Sequence, residues 1–168
     1  MTIEDDSVFL KAVQCADIPL IKHALATGAN PNSSDSEQRT ALHWAAANGY
    51  KNIIYLLLRN GADVNVPDRA GSTPLHYATI HFHADIAKIL LSHGANPNAT
   101  DRHLNTPLHH AALNGADQIV SLLLDHGADA SATSRDNRRP IDLAVEFRHA
   151  NTQQLLRRPP TAAARTRG

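Results

Sequence analysis

The side chains with the most chemistry to offer are eleven histidines in a chain of 168 residues. Imidazoles ligate zinc, relay protons or activate nucleophiles, and each task needs several groups converging on one point. His43, His76 and His109 instead recur every 33 residues, each three places after a threonine. His93 and His126 also stand 33 apart, each directly before a glycine, where a cation suits a helix end. The remaining His23, His81, His83, His103, His110 and His149 follow no spacing that resembles a metal signature. No Gly-x-Ser-x-Gly elbow, phosphate-cradling glycine loop or Cys–His arrangement accompanies them. Cys15 is the one cysteine, which excludes an intramolecular disulfide and fits a reducing compartment. The expectation is no enzyme, with no catalytic residue, no metal and no cofactor.

The same period orders the elements that carry these histidines. Thr40-Ala41-Leu42-His43 returns as Thr73-Pro74-Leu75-His76 and as Thr106-Pro107-Leu108-His109. A second marker, Gly-Ala followed by Asp or Asn, falls in the same 33-residue register at Gly28, Gly61, Gly94 and Gly127. Such a chain is a stack of small units, none able to bury its apolar face alone. Within a unit, threonine caps a first helix and proline pre-sets its first turn. Leu42, Ala45 and Ala46 form its buried stripe, and Gly49 closes it. Ile53, Ile54, Leu56, Leu57 and Leu58 make a second, interior helix, closed by Gly61. A turn-rich connector then leads to the next threonine.

The outer units keep register but not polarity. In the first, Ser7 takes the threonine position, Phe9 the leucine position and Leu20-Ile21 the place of Ile53-Ile54. In the last, Arg139-Pro140-Ile141-Asp142 replaces the motif, and Thr152 and Gln153 stand at the apolar pair, the mark of a cap with no neighbour beyond it. Phe82 occupies the position of Gly49 and Gly115, and Arg148 occupies it in the last unit. A bulky residue is costly in the left-handed conformation, so the third unit should close differently there or form a bump.

Composition is that of a soluble domain, 42% hydrophobic and 19% charged. With only 4% aromatic residues, the core must be built from Ala, Leu and Ile. No apolar run approaches the ~18 residues of a membrane span, and the acidic start Glu4-Asp5-Asp6 is unlike a secretory signal. Net charge is zero but uneven. Residues 1–37 hold six acids and two lysines (net −4), and residues 135–168 hold eight arginines and three acids (net +5).

These motifs resemble the ankyrin repeat family, with its 33-residue period and Thr-Pro-Leu-His signature, from about Ser7 to Leu156. The resemblance implies an all-α ankyrin-repeat solenoid of helix-turn-helix pairs joined by hairpin-like loops, with N- and C-terminal capping repeats. The expected units are a capping repeat at 1–35, repeats at 36–68, 69–101 and 102–134, and a C-terminal capping repeat at 135–157. An Arg/Pro/Ala segment without periodicity, expected to be a flexible tail, follows at 158–168.

Function is implied by the same resemblance: a non-catalytic protein–protein interaction module, an adaptor or scaffold, binding a protein through its concave helix face and loop tips. Carried over by register, the partner-binding positions are Arg39, Trp44, Asn48, Arg69, Tyr77, Ile80, His81, Arg102, His103, His110, Leu113, Asn114 and Phe147. Trp44 and Tyr77 are aromatic anchors in consecutive units, and Ile80 and Leu113 are apolar where solvent is expected, with arginines at the tips. One alternative is a regulatory inhibitor of a partner enzyme. Another is an acidic or nucleic-acid partner held by the basic C-terminal end, although zero net charge and the lack of interleaved aromatics argue against nucleic acid. A cytoplasmic monomer is expected, with no membrane and no small-molecule substrate; the sequence leaves nuclear or secreted-effector roles open.

Overall fold

A computed structural model describes residues 3–157. The expected tail at 158–168 lies outside the described residues. Among the described residues ten α-helices follow one another: α1 (Ile3–Gln14), α2 (Ile18–Ala26), α3 (Ala41–Ala47), α4 (Lys51–Arg59), α5 (Pro74–Ile80), α6 (Ala84–Ser92), α7 (Pro107–Leu113), α8 (Asp117–Asp125), α9 (Pro140–Glu146) and α10 (Ala150–Leu156). Odd-numbered helices pack on one another in one row, α1 on α3, α3 on α5, α5 on α7 and α7 on α9. Even-numbered helices form the second row, α4 on α6, α6 on α8 and α8 on α10. Among the described residues there is no strand, only an isolated bridge between Ser34 and Thr40. The fold is the all-helical solenoid that the period implies.

Each short helix owes its limits to local chemistry. Thr40, Thr73 and Thr106 are extended N-caps, and Pro74, Pro107 and Pro140 follow such caps at the first helical position. Seven residues are far fewer than the ~12–15 at which an isolated helix becomes marginal in water, so α3, α5, α7 and α9 exist because they are packed. Their inward stripes are closed off from solvent: Leu42, Leu75 and Leu108, with Ala45, Ala78, Ala111 and Ala144, are each 0% exposed. Alanine lets neighbouring helix axes approach closely. Ile54, Leu57, Ile86, Leu90, Val120 and Leu123 seal the space between the rows. Each such aliphatic side chain contributes about 1.5–3 kcal/mol of burial energy.

Three sequence expectations change in detail. Ser7 is no N-cap: α1 starts at Ile3 and carries it in mid-helix. Thr152, polar at the place of Ile53, is not solvated for being so. It is fully buried, and its hydroxyl donates to Asp117 at the start of α8. Phe82 neither alters the helix end nor escapes the left-handed region. Its φ of +61° matches Gly49 at +69°, Gly115 at +64°, Arg148 at +60° and Ala16 at +54°, so all five pairs turn the same corner. The phenyl ring stays 59% exposed, so little burial offsets the strain.

Candidate interaction surface

The motif histidines are joints. His43 Nδ1 accepts from the backbone N–H of Thr40 at 3.0 Å, and its other ring nitrogen lies 3.0 Å from the Ser72 carbonyl of the next pair. An amide can only donate and a carbonyl can only accept, so the ring must be the neutral tautomer with the proton on Nε2. His76 repeats this with Thr73 and the Asn105 carbonyl, and His109 with Thr106 and the Arg138 carbonyl. Burial holds the pKa of all three below 6.5, that of His76 at about 4. In the last pair Asp142 takes the histidine's place. Its carboxylate accepts from the Arg139 N–H at 2.9 Å but has no donor for a further neighbour.

A second set of joints uses histidines that the repeat signature does not contain. His83 donates from Nε2 to the Ala47 carbonyl at 3.1 Å, and His149 does the same to the Leu113 carbonyl at 3.0 Å. These rings lie under the glycines that close the preceding first helices. A Cβ on Gly49 would stand 2.9 Å from the His83 ring, and one on Gly115 would stand 2.5 Å from the His149 ring. Where the following unit carries Ala116 rather than histidine, Phe82 replaces the glycine. On the opposite edge, Asn32, Asn65 and Asn98 bridge successive connectors. Asn65 Nδ2 donates to the Gly94 carbonyl at 3.0 Å, and its Oδ1 accepts from the Asn96 N–H at 2.8 Å.

The residues predicted to meet a partner lie on the first helices, at their ends, and on the hairpin-like loops. The first three hairpin-like loops turn around a carboxylate, Asp35, Asp68 or Asp101, and the last around the Ser134 hydroxyl. Asp68 Oδ1 accepts from the N–H groups of Ala70 and Ser72, and Asp101 Oδ1 from those of His103 and Asn105. The outer oxygen is taken by the next first helix: Tyr77 donates its hydroxyl to Asp68 at 2.8 Å, and His110 Nε2 lies 3.1 Å from Asp101. Burial opposes ionisation of Asp101, but the Asn105 and His103 amides and His110 outweigh it and hold its pKa below 3.8. For Tyr77, burial and then the Asp68 bond raise the phenol to about 12. Both rings also sit edge-on against the preceding motif histidine, Tyr77 on His43 at 5.4 Å and His110 on His76 at 5.8 Å. Tyr77 and His110 are therefore half-buried supports of the loops as well as members of the surface.

Trp44 holds the equivalent place one unit earlier, with a different partner. The Arg39 guanidinium lies 4.4 Å from the centre of its ring and pairs with Asp35 at 2.9 Å. Its indole N–H is buried without an acceptor among the described residues, a cost of about 1–3 kcal/mol. Arg39, Trp44, Asn48, Tyr77 and His81, with His43 and Ala47, line one cleft of about 300 Å³. Ile80 is 36% and Phe147 is 50% exposed at the helix ends. Leu113 is half-buried rather than open to solvent. Asn48 and Asn114 are exposed, and each uses its amide to cap its own helix through the carbonyls of Trp44 and His110. Arg69, Arg102 and His103 are exposed at the loop tips, away from that cleft.

Sequence reasoning passed over Leu104. It is 47% exposed at φ +58°, at the tip position where the preceding loop has Gly71. Alignment of the loops was the signal that would have found it, since an exposed leucine there has two local rules against it. Among the described residues no three His, Cys, Asp or Glu side chains are grouped to hold a metal ion, and no helix is long and apolar enough to cross a membrane.

Comparison with known families gives two matches. A model of ankyrin repeats (3 copies) covers residues 9–101, and a model of ankyrin repeats (many copies) covers residues 90–144. No match is found among curated proteins.

Proposed function

Since the chain belongs to the ankyrin repeat family, we propose that it is a non-catalytic adaptor that grips a protein partner with its first-helix row and loop tips. Ankyrin repeats are in general protein–protein interaction modules. The observation that carries the proposal here is the cleft of Arg39, Trp44, Asn48, Tyr77 and His81. It offers an aromatic ring, a guanidinium and an imidazole beside the exposed Ile80. That mixture of aromatic, aliphatic and arginine groups is the composition of interface hot spots. Ile80, 36% exposed at the end of α5 and next to His81 of the cleft, adds an aliphatic contact to it.

A photo-crosslinking residue at Ile80 tests this in the source cell, with the same group at Tyr55 on α4 as the control. One partner should be trapped from position 80 and not from 55, and the Ile80→Glu chain, used without the crosslinker as affinity bait beside the parent, should fail to retain that partner at unchanged melting temperature. Equal trapping from both positions, or full capture by the Ile80→Glu chain, would overturn the proposal.

A further inference from the structure

The loop tips bear a feature of their own. Arg69, Arg102 and Arg135 occupy one position in three successive loops, 33 residues apart, and all three are exposed. Their backbones are stitched in register. The N–H of Arg69 donates to Glu37, that of Arg102 to Ala70 and that of Arg135 to His103, at 2.8–2.9 Å. The guanidiniums therefore rise from equivalent points of a regular edge, spaced by the packing distance of adjacent helices, about 8–10 Å.

Among the described residues, few acids neutralise this row. Asp68 and Asp101 are each 8% exposed and are occupied by the loop amides and by Tyr77 and His110. Glu37 meets Arg69 only at 3.7 Å, with both side chains largely in solvent. Asp136 is the one further acid at the tips, next to Arg135. Beside the middle arginine stands the strained Leu104, its side chain in water. The positive φ belongs to the loop, since Gln38, Gly71 and Asn137 share it; what sets Leu104 apart is an apolar side chain left 47% exposed between charged tips.

We propose that this edge docks an acidic extended segment of the partner protein, with carboxylates about three residues apart and an apolar side chain against Leu104. The identification rests on the adaptor function above and adds the partner's chemistry to it. Spacing supports it: a polyproline II chain turns once per three residues and rises about 9 Å in doing so, which places every third side chain opposite successive arginines. Guanidinium forks suit carboxylates in such a row. A single nucleic-acid strand fits less well, because such strands are held by successive aromatic platforms and among these tips only the one with His103 carries an aromatic ring.

The test is fluorescence anisotropy on the full chain with labelled probes. One is a peptide of Glu-Pro-Pro triplets with one proline changed to leucine. Controls are its Glu→Gln version, a peptide with the same glutamates in one block, and oligothymidine of equal charge. The triplet peptide should bind about tenfold more tightly than any control. An Arg69→Gln/Arg102→Gln/Arg135→Gln chain should lose that advantage. Leu104→Gly should weaken binding severalfold while melting no lower than the parent, since glycine suits this backbone; should the triple variant fail to fold, Leu104→Gly and Arg102→Gln alone carry the test. Equal binding of the glutamate and glutamine peptides, no detectable binding of the triplet peptide, unaltered affinity in the arginine variants, or tighter binding of oligothymidine would each overturn the proposal. Trapping at Ile80 is read separately, so its success beside a failed peptide test removes only the acidic segment, and the reverse outcome removes the first-helix face.

Discussion

His83 fills the space that Gly49 leaves open, its ring 2.9 Å from where a Cβ would stand, and from there it donates to the carbonyl of Ala47. The glycine thus meets two needs, a left-handed turn at φ +69° and room for a neighbour's imidazole. Gly49→Ala should cost about 1–2 kcal/mol from backbone strain alone, and more from the contact. In an His83→Ala background the second part should vanish, leaving a coupling of about 1 kcal/mol in a double-mutant cycle read by urea denaturation. Gly61→Ala, with nothing within 4 Å, should show the strain only.

Phe82→Gly should raise the melting temperature. The ring is 59% exposed at φ +61°, so glycine relieves about 1 kcal/mol of strain at small loss of burial. A drop in calorimetric melting temperature would show that the ring packs usefully.

Stability should fall between about pH 6.5 and 4. Burial first, and the fixed tautomer with it, keeps His43, His76 and His109 neutral in the folded chain, whereas unfolded imidazoles protonate near 6.5. The folded state therefore binds fewer protons, so its advantage is full above the unfolded value and drains away toward the folded one. For His76, a pKa of about 4 corresponds to roughly 3 kcal/mol lost across that range. Asp35 and Asp101, held below 3.8, lose their contribution only at lower pH. Urea midpoints from pH 7 to 4.5 should trace the loss, and His76→Gln should be weaker at pH 7 but flatter with pH. A parent curve flat from pH 7 to 4.5 would contradict the neutral joints.

Asn65→Ala should cost about 1–3 kcal/mol, since the Asn96 N–H and the Gly94 carbonyl both lose their partner. In the last connector, after α8, the equivalent residue is Ser131, which bonds back to Asp129 of the same connector. Ser131→Ala should therefore be nearly silent in the same denaturation assay.

The fold was legible because its determinants are local and repeated. Threonine caps, alanine stripes and closing glycines each act within a few residues, and 33-residue repetition made them visible. The inner face was legible only as columns. Register put Trp44, Tyr77 and His110 in one line, but not the bonds to Asp68 and Asp101 that make two of them supports. The His83 and His149 joints were missed for a related reason. Each depends on an atom that a residue 34 places earlier does not have, and a glycine's missing side chain leaves no mark of what fills its place. The pairing of Gly49 with His83 and Gly115 with His149, against Phe82 with Ala116, is nevertheless written in the chain.

The joints also set how the chain can assemble. The histidine and asparagine ties span 29 to 36 residues, from one pair to the next. Contact order is thus low, and no distant segment has to be gathered before the first favourable docking. Any two adjacent pairs can nucleate, and the rest add like teeth of a zip in either direction. A chain emerging from the ribosome can fasten each pair onto its predecessor while later ones are still being made.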